Sequence, residues 1–211
     1  MIDAAVAIVI TEIMYNPASN EKQPVKVEWV ELYNRSDEPV DLSGWKLADE
    51  DGESAPIPDN AILPGGQALV LIPDAQDPRA FRSAWPQRRG EQTYPVLQLD
   101  GWRRGGFGGL SNQPSPTNEV LSLRRPDDSI ADLVNFDDTD PWPTDTPEGP
   151  SIYLLPHAID PDLNDDGRNW ARSEPRTHQA RNAFNRAGYS ELDIGSPGVV
   201  EIDPPEDAPE E

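Results

Sequence analysis

The sequence predicts an all-β fold, a sandwich or a barrel, on three observations. Its apolar runs are short and rich in β-branched residues, 24 Pro and 15 Gly punctuate them, and no long helical pattern occurs in the 211 residues. Pro removes a backbone donor and fixes φ, while Gly costs backbone entropy, so neither belongs inside a long helix; between apolar runs both make turns. The length suits one sizeable β domain and is short for two independent cores.

The elements follow in order. Residues 7–15 (AIVITEIMY) read as a strand with Ile8, Ile10, Glu12 and Met14 on one face and Val9, Thr11, Ile13 and Tyr15 on the other, ended by Asn16-Pro17. Residues 25–34 (VKVEWVELYN) are the strongest strand, apolar in part on both faces, as a central strand covered on each side should be. Short strands at 39–42 and 44–48 flank Ser43-Gly44, and Pro64-Gly65-Gly66 leads into the buried strand 67–72 (QALVLI). Residues 77–85 (DPRAFRSAW) are the one helix candidate, with Asp77 as cap and Pro78 at the first position, where its missing N–H is harmless. Residues 86–118 read as loop. Strands at 119–124 and 130–136 flank a hairpin turn at Pro126-Asp127-Asp128, and 151–155 is another strand. Residues 156–190 are polar and irregular, with a short helical turn near 180–186, and 194–202 supplies a last strand. Residues 201–211 hold six acids and three prolines, the composition of a disordered tail or linker.

Charge excludes several functions. With 17 basic and 39 acidic residues the formal charge is −22, a field that repels nucleic-acid phosphates and anionic membranes and attracts cations such as Ca²⁺. There is no Cys, which removes disulfides, thiol catalysis and Cys-ligated zinc. No apolar run approaches a membrane span, and 1–10 lacks the basic region and cleavage site of a signal peptide.

The segments ITEIMYNP (10–17), EWVELYNRSDEPVDLSGWKLAD (28–49), LPGGQALVLIP (63–73), GLSN (109–112), EVLSLRRPDDSIADLVNF (119–136), PWP (141–143), GPSIYLL (149–155), NW (169–170) and GSPG (195–198) occur in that order. Together they resemble the lamin tail domain in its bacterial secreted form, most specifically through EWVELYN followed by VDLSGWKL. The resemblance spans most of residues 7–200 and implies an immunoglobulin-like antiparallel β-sandwich that mediates interactions, often appended to secreted enzymes or surface modules. The 73–108 segment and the insertion at 156–194 depart from the compact form. Trp29, Trp45, Trp142 and Trp170 are expected to fill the sandwich or its rim, Gly44 and the glycines of GSPG to allow positive φ, and Asn34 and Asn112 to bond backbone at strand ends.

The sharpest local signal is 160–170 (DPDLNDDGRNW). Asp162, Asn164 and Asp166 stand two apart and Gly167 follows, the opening of a calcium loop, with Asp160 and Arg168 completing the candidate set. Ser173 stands where such a loop places its bidentate acid and no amphipathic helices flank it, so a solvated Asp/Asn turn accounts for the residues equally well. Asp137, Asp138, Asp140 and Asp145 read as a solvated loop. Glu12, Glu28 and Glu31 lie on the first strands, where a carboxylate pair can serve glycoside hydrolysis but more often meets Arg or Lys across strands. His157 and His178 lack any nucleophile motif and read as surface residues. GWRRGGFGG (101–109) offers Arg103 and Arg104 for an anion and Trp102 and Phe107 for stacking, yet no phosphate-loop context follows.

The expectation is therefore one sandwich over 7–200 with an acidic tail over 201–211. It is expected to serve as a non-catalytic interaction or adhesion module, secreted or at the cell surface, with a protein or polysaccharide partner and with Ca²⁺ ordering one loop. The competing expectation is a secreted hydrolase, or an accessory to one, built on the strand carboxylates. Chromatin or DNA contacts of the kind associated with animal lamin tails are disfavoured by the charge.

Overall fold

The computed structural model describes residues 7–21, 27–102, 108–110 and 119–203. Its strands are β1 (Ile8–Met14), β2 (Trp29–Asn34), β3 (Val40–Asp41), β4 (Lys46–Ala48), β5 (Ile62–Leu63), β6 (Ala68–Pro73), β7 (Val96–Leu99), β8 (Glu119–Arg124), β9 (Ile130–Phe136), β10 (Ile152–Leu154), β11 (Trp170–Arg172), β12 (Arg181–Asn182) and β13 (Ile194–Gly195). One helix, α1 (Pro78–Ala84), separates β6 from β7. A six-stranded sheet runs β11-β10-β1-β2-β6-β7, antiparallel except for the parallel β6–β7 pair. A three-stranded sheet, β4-β8-β9, faces it. This is the all-β, immunoglobulin-like sandwich that the punctuation and the motifs imply.

The core lies between these two sheets. Ile8, Ile10, Ile13, Val30, Leu32 and Leu71 from the larger sheet join Leu47, Leu121, Leu123, Val134 and Phe136 from the smaller, with Trp45, Trp142 and Trp170 in the same cluster. Burying each such aliphatic or Phe side chain is worth about 1.5–3 kcal/mol against exposure. The larger sheet is covered on its other face too: Met14, Trp29, Val70 and Ile72 pack beneath Phe81, Ala84 and Trp85 of α1 and its end, with Tyr94, Ala183 and Tyr189. Trp29 meets Phe81 and Trp85 edge-on, at ring-centroid distances of 6.2 and 6.1 Å. That two-sided burial explains why every residue of β2 is buried.

Asp77 caps α1 by accepting the Arg79 amide at 2.8 Å, with Pro78 at the first position, as its composition predicts. Gly44 and Gly198 sit at φ +79° and +85°, where a side chain would be strained. The Asn34 amide donates to the Glu38 and Leu63 carbonyls, while Asn112, Arg103, Arg104 and Phe107 lie outside the described residues.

Five expectations are corrected. Strict alternation fails in β1, because the β1–β2 register slips between Ile10 and Glu12. Ile10 opposes Leu32 and Ile13 opposes Val30 on the core face, while Glu12 opposes Glu31 and Met14 opposes Trp29 on the other. Residues 86–118 contain β7, whose parallel pairing needs the α1 crossover and leaves no hairpin signal in sequence. The helical turn expected near 180–186 is replaced by β12, paired with β13, and the strand expected over 194–202 shortens to Ile194–Gly195. Trp102 is fully buried in the core and presents no stacking face to solvent.

Candidate functional site

The bulge in β1 sets the site. With Thr11 as the extra residue, Glu12 is brought directly opposite Glu31, and both side chains lie on the face turned away from the sandwich core. Each residue is 1 % exposed. Thr11 turns its hydroxyl to Glu31 Oε1 at 2.9 Å. Ser151, next to β10, donates to Glu12 Oε1 at 2.5 Å and is itself 2.8 Å from Ser173 Oγ, next to β11. The GSPG loop closes the site from above: Ser196 gives its amide to Glu12 Oε1 at 2.9 Å and its hydroxyl to Oε2 at 2.8 Å, and Gly198 gives its amide to Glu31 Oε2 at 2.6 Å.

Gly195 is required here by space. A Cβ on it would come within 2.9 Å of both Glu12 Oε1 and the Trp29 ring. Above the acids lies a cavity of about 10 Å³, whose wall includes Tyr153, Pro156, His178, Val199, Val200 and Glu201. That volume holds about one water. At its rim His178 Nδ1 meets Glu201 Oε2 at 2.6 Å and the imidazole packs on Tyr153 with centroids 4.9 Å apart.

Electrostatics follow from this burial. Loss of hydration raises the carboxyl of Glu12, opposed by its Ser151 and Ser196 hydrogen bonds. Burial and then the charge of Glu12 push Glu31 up to about 8, against the Gly198 amide, the Thr11 hydroxyl and Arg181. Arg181 is the cation that favours ionisation of both acids, and its Nη1 lies 3.4 Å from Glu91 Oε1. Two buried carboxyls facing each other across strands repel when both are ionised, so one of them is favoured in its protonated form.

Glu28 is not part of the pair. It precedes β2, is fully buried and accepts the Leu110 amide at 3.1 Å. The expectation that strand acids meet Arg or Lys is replaced by an acid–acid pair held by hydroxyls and amides. His157 is exposed, as expected, whereas His178 is half-buried in its contacts with Glu201 and Tyr153.

The residues of the 160–168 loop take separate roles. Asp160 accepts the Asp162 amide at 3.0 Å and pairs with Arg35 at 2.9 Å. Asn164 is fully buried, and its amide donates to both oxygens of Asp132 at 3.0 and 2.8 Å. Asp166 caps a 3-10 turn at Gly167–Asn169 and binds the Arg168 side chain at 2.6 Å. Asp162 faces solvent. Gly167 serves packing rather than a sharp turn, since a Cβ there would meet the Trp142 indole at 2.8 Å. Among the described residues no three His, Cys, Asp or Glu side chains form a group able to hold a metal ion. In the other acidic stretch Asp145 accepts the Asn16 amide at 2.9 Å.

A family model, Lamin Tail Domain, matches residues 3–138. The chain belongs to the lamin tail domain family. Lamin tail domains are non-catalytic, immunoglobulin-like interaction modules. The match takes in β1 to β9, hence Glu12 and Glu31; Ser151, Ser173, Arg181 and the GSPG loop lie beyond it. No curated protein matches the chain. Among the described residues no helix is long and apolar enough to cross a membrane.

The hydroxyls of Thr11, Ser151, Ser173 and Ser196, and Arg181, escape a reading of sequence alone, since they come from five separate segments. One signal was available: GSPG keeps small residues at 195–198, which is what a loop needs to lie flat on buried acids.

Proposed function

We propose that this lamin tail domain is a non-catalytic interaction module of a secreted or cell-surface protein, taking a protein or surface-polysaccharide partner. The observation that carries the non-catalytic reading is the burial of the Glu12–Glu31 pair, each residue 1 % exposed. A general acid must reach its substrate at about 3 Å, and these acids lie under a loop with a cavity of only about 10 Å³ above them. The extracellular placement draws on the likeness of EWVELYN and VDLSGWKL to the bacterial secreted form, and the −22 charge suits a soluble module that avoids phosphate polymers.

The competing hydrolase reading has one observation in its favour, the elevation of Glu31 to about 8. The two are separated by assaying polysaccharide and ester hydrolysis with the wild type and a Glu12→Gln/Glu31→Gln double variant. The interaction-module reading expects no turnover in either. Turnover by the wild type that the double variant loses overturns it. Placement outside the cell is tested by protease treatment of intact producing cells, which is expected to remove the domain.

A calcium-ordered 160–168 loop is a separate proposal resting on the spacing of Asp162, Asn164 and Asp166. It requires Asp160 and Asp166 to exchange Arg35 and Arg168 for the ion.

A further inference from the structure

We propose that Glu12 and Glu31 form a proton latch: one proton held by the pair keeps residues 195–201 seated on the six-stranded sheet, and its loss frees that segment. The geometry carries this. The two acids are cross-strand partners in a site with room for about one water, and their cover is 196–201 together with Tyr153, Leu154, Pro156 and His178. Three of the five donors that bind them come from 196–201: the Ser196 amide, the Ser196 hydroxyl and the Gly198 amide.

Arg181 of β12 lowers both acids, but it also lies against Glu91. Tyr94 stands beside Arg181 and Glu31, and Tyr153 stands beside Glu12, Glu174 and Glu201. His178 and Glu201 close the rim. One cation shared with Glu91 does not balance two carboxylates, so full ionisation leaves an uncompensated charge in a site with room for one water. Relief requires water, and water enters by lifting 196–201.

At the segment's outer end Val200 packs partly buried against the core cluster. Beyond Gly198 the segment lines a second cavity, of about 140 Å³, with Tyr33, Gly66 and Tyr94. Its last described anchor is the His178–Glu201 contact, and His178 and Gln179 sit at φ +45° and +59°, a conformation side chains resist. Lifting the segment removes a wall from both cavities and uncovers Tyr33 and Tyr94. The inference stands whether or not the module reading holds, because it concerns closure of the fold and not the partner.

The test is amide hydrogen exchange of Ser196 and Gly198 in the full chain, corrected for intrinsic base catalysis, between about pH 6 and about pH 10. Protection in the wild type is expected to fall by about tenfold or more, while core amides such as Val30 keep theirs, and Glu31→Gln is expected to hold its protection across the range. Equal protection at both ends in the wild type, or an equal loss in Glu31→Gln, overturns the latch. Carboxyl ¹³C titration of the unmodified protein gives a second reading that needs no variant. One glutamate titrating above about pH 7 supports it, and all glutamates titrating near 4 to 5 overturns it.

Discussion

Asp132 of β9 reaches across the sandwich and accepts the backbone amide of Ile10 in β1 at 2.6 Å. Ile10 is the last regular residue before the bulge, where the ladder is interrupted. A buried donor at such a break needs a partner, and the facing sheet supplies one. Asp132 also accepts the Leu133 amide and both bonds from Asn164, so one carboxylate joins the two sheets and the 160–168 loop. Asp132→Ala leaves the Ile10 amide and the Asn164 side chain buried without acceptors, and should destabilise the domain by about 3 kcal/mol. Asp132→Asn keeps one acceptor and should lose less. Urea unfolding with unchanged m-value checks both; equal midpoints for Asp132→Ala and the wild type would refute the bridge.

Thermal stability should fall as pH rises through neutrality. Burial pushes Asp132 up to about 7 from 3.8 and Glu31 up to about 8 from 4.5. Each is therefore protonated in the folded state over a range where the unfolded chain has already released its proton. Between about pH 4 and about pH 8 the folded state binds more protons, so stability is fully present at the acid end and lost toward the alkaline end. The midpoint by calorimetry should drop by about 5 to 10 °C across that window. Asp41, Asp127 and Asp166 are held low by hydrogen bonds from Ser43, Ser129 and Arg168, and their opposite contribution falls away only below the usual carboxylate range. Glu31→Gln should flatten the upper part of the slope; a midpoint that rises from pH 5 to 8 would show that the buried acids ionise freely.

Much of the fold is legible because strand residues and turn residues announce themselves locally. Residues 119–124 and 130–136 are read to the residue, since Asp128 takes the positive φ that the Pro-Asp-Asp turn demands. β7 is not legible: half-exposed Val96 and Leu97 pair in parallel with β6 only after α1 has crossed, and no local pattern encodes that. The bulge is hidden for a similar reason. ITEI alternates on paper, and only the partner register shows Ile10 and Ile13 on one face. The acid pair therefore looks like two unrelated strand glutamates until β1 and β2 are aligned. Asn164 shows the same limit, since its spacing suggests a metal loop while its full burial with Nδ2 on Asp132 has no signal in sequence.

The calcium proposal is tested by competition. Asp166 is held by Arg168 through Nε at 2.9 Å and Nη2 at 2.6 Å, so an ion at this loop must first displace that fork. Arg168→Ala removes the competitor and should tighten Ca²⁺ binding measured by titration calorimetry on chelator-treated protein. Asp162→Ala/Asp166→Ala should abolish it. Absence of binding heat in both the wild type and Arg168→Ala would leave the loop as a capped turn.

Gly198→Ala separates the seating of the GSPG loop from the chemistry of the acids beneath it. At φ +85° an added Cβ is strained, and it would be built into the Tyr94 ring. Tyr94 cannot retreat easily: it is 2 % exposed, packed with Trp29 and Trp85 in the second apolar layer, with the Arg82 guanidinium 5.8 Å from its ring centroid. The loop must lift instead, taking the Gly198 amide away from Glu31. The variant should lose about 2 to 4 kcal/mol in chemical denaturation. Its loss should be smaller at alkaline pH, where ionisation of the pair has already lifted the loop in the wild type, than at acid pH. A cost independent of pH would mean that the strain is absorbed by the ring and that the Gly198–Glu31 hydrogen bond survives.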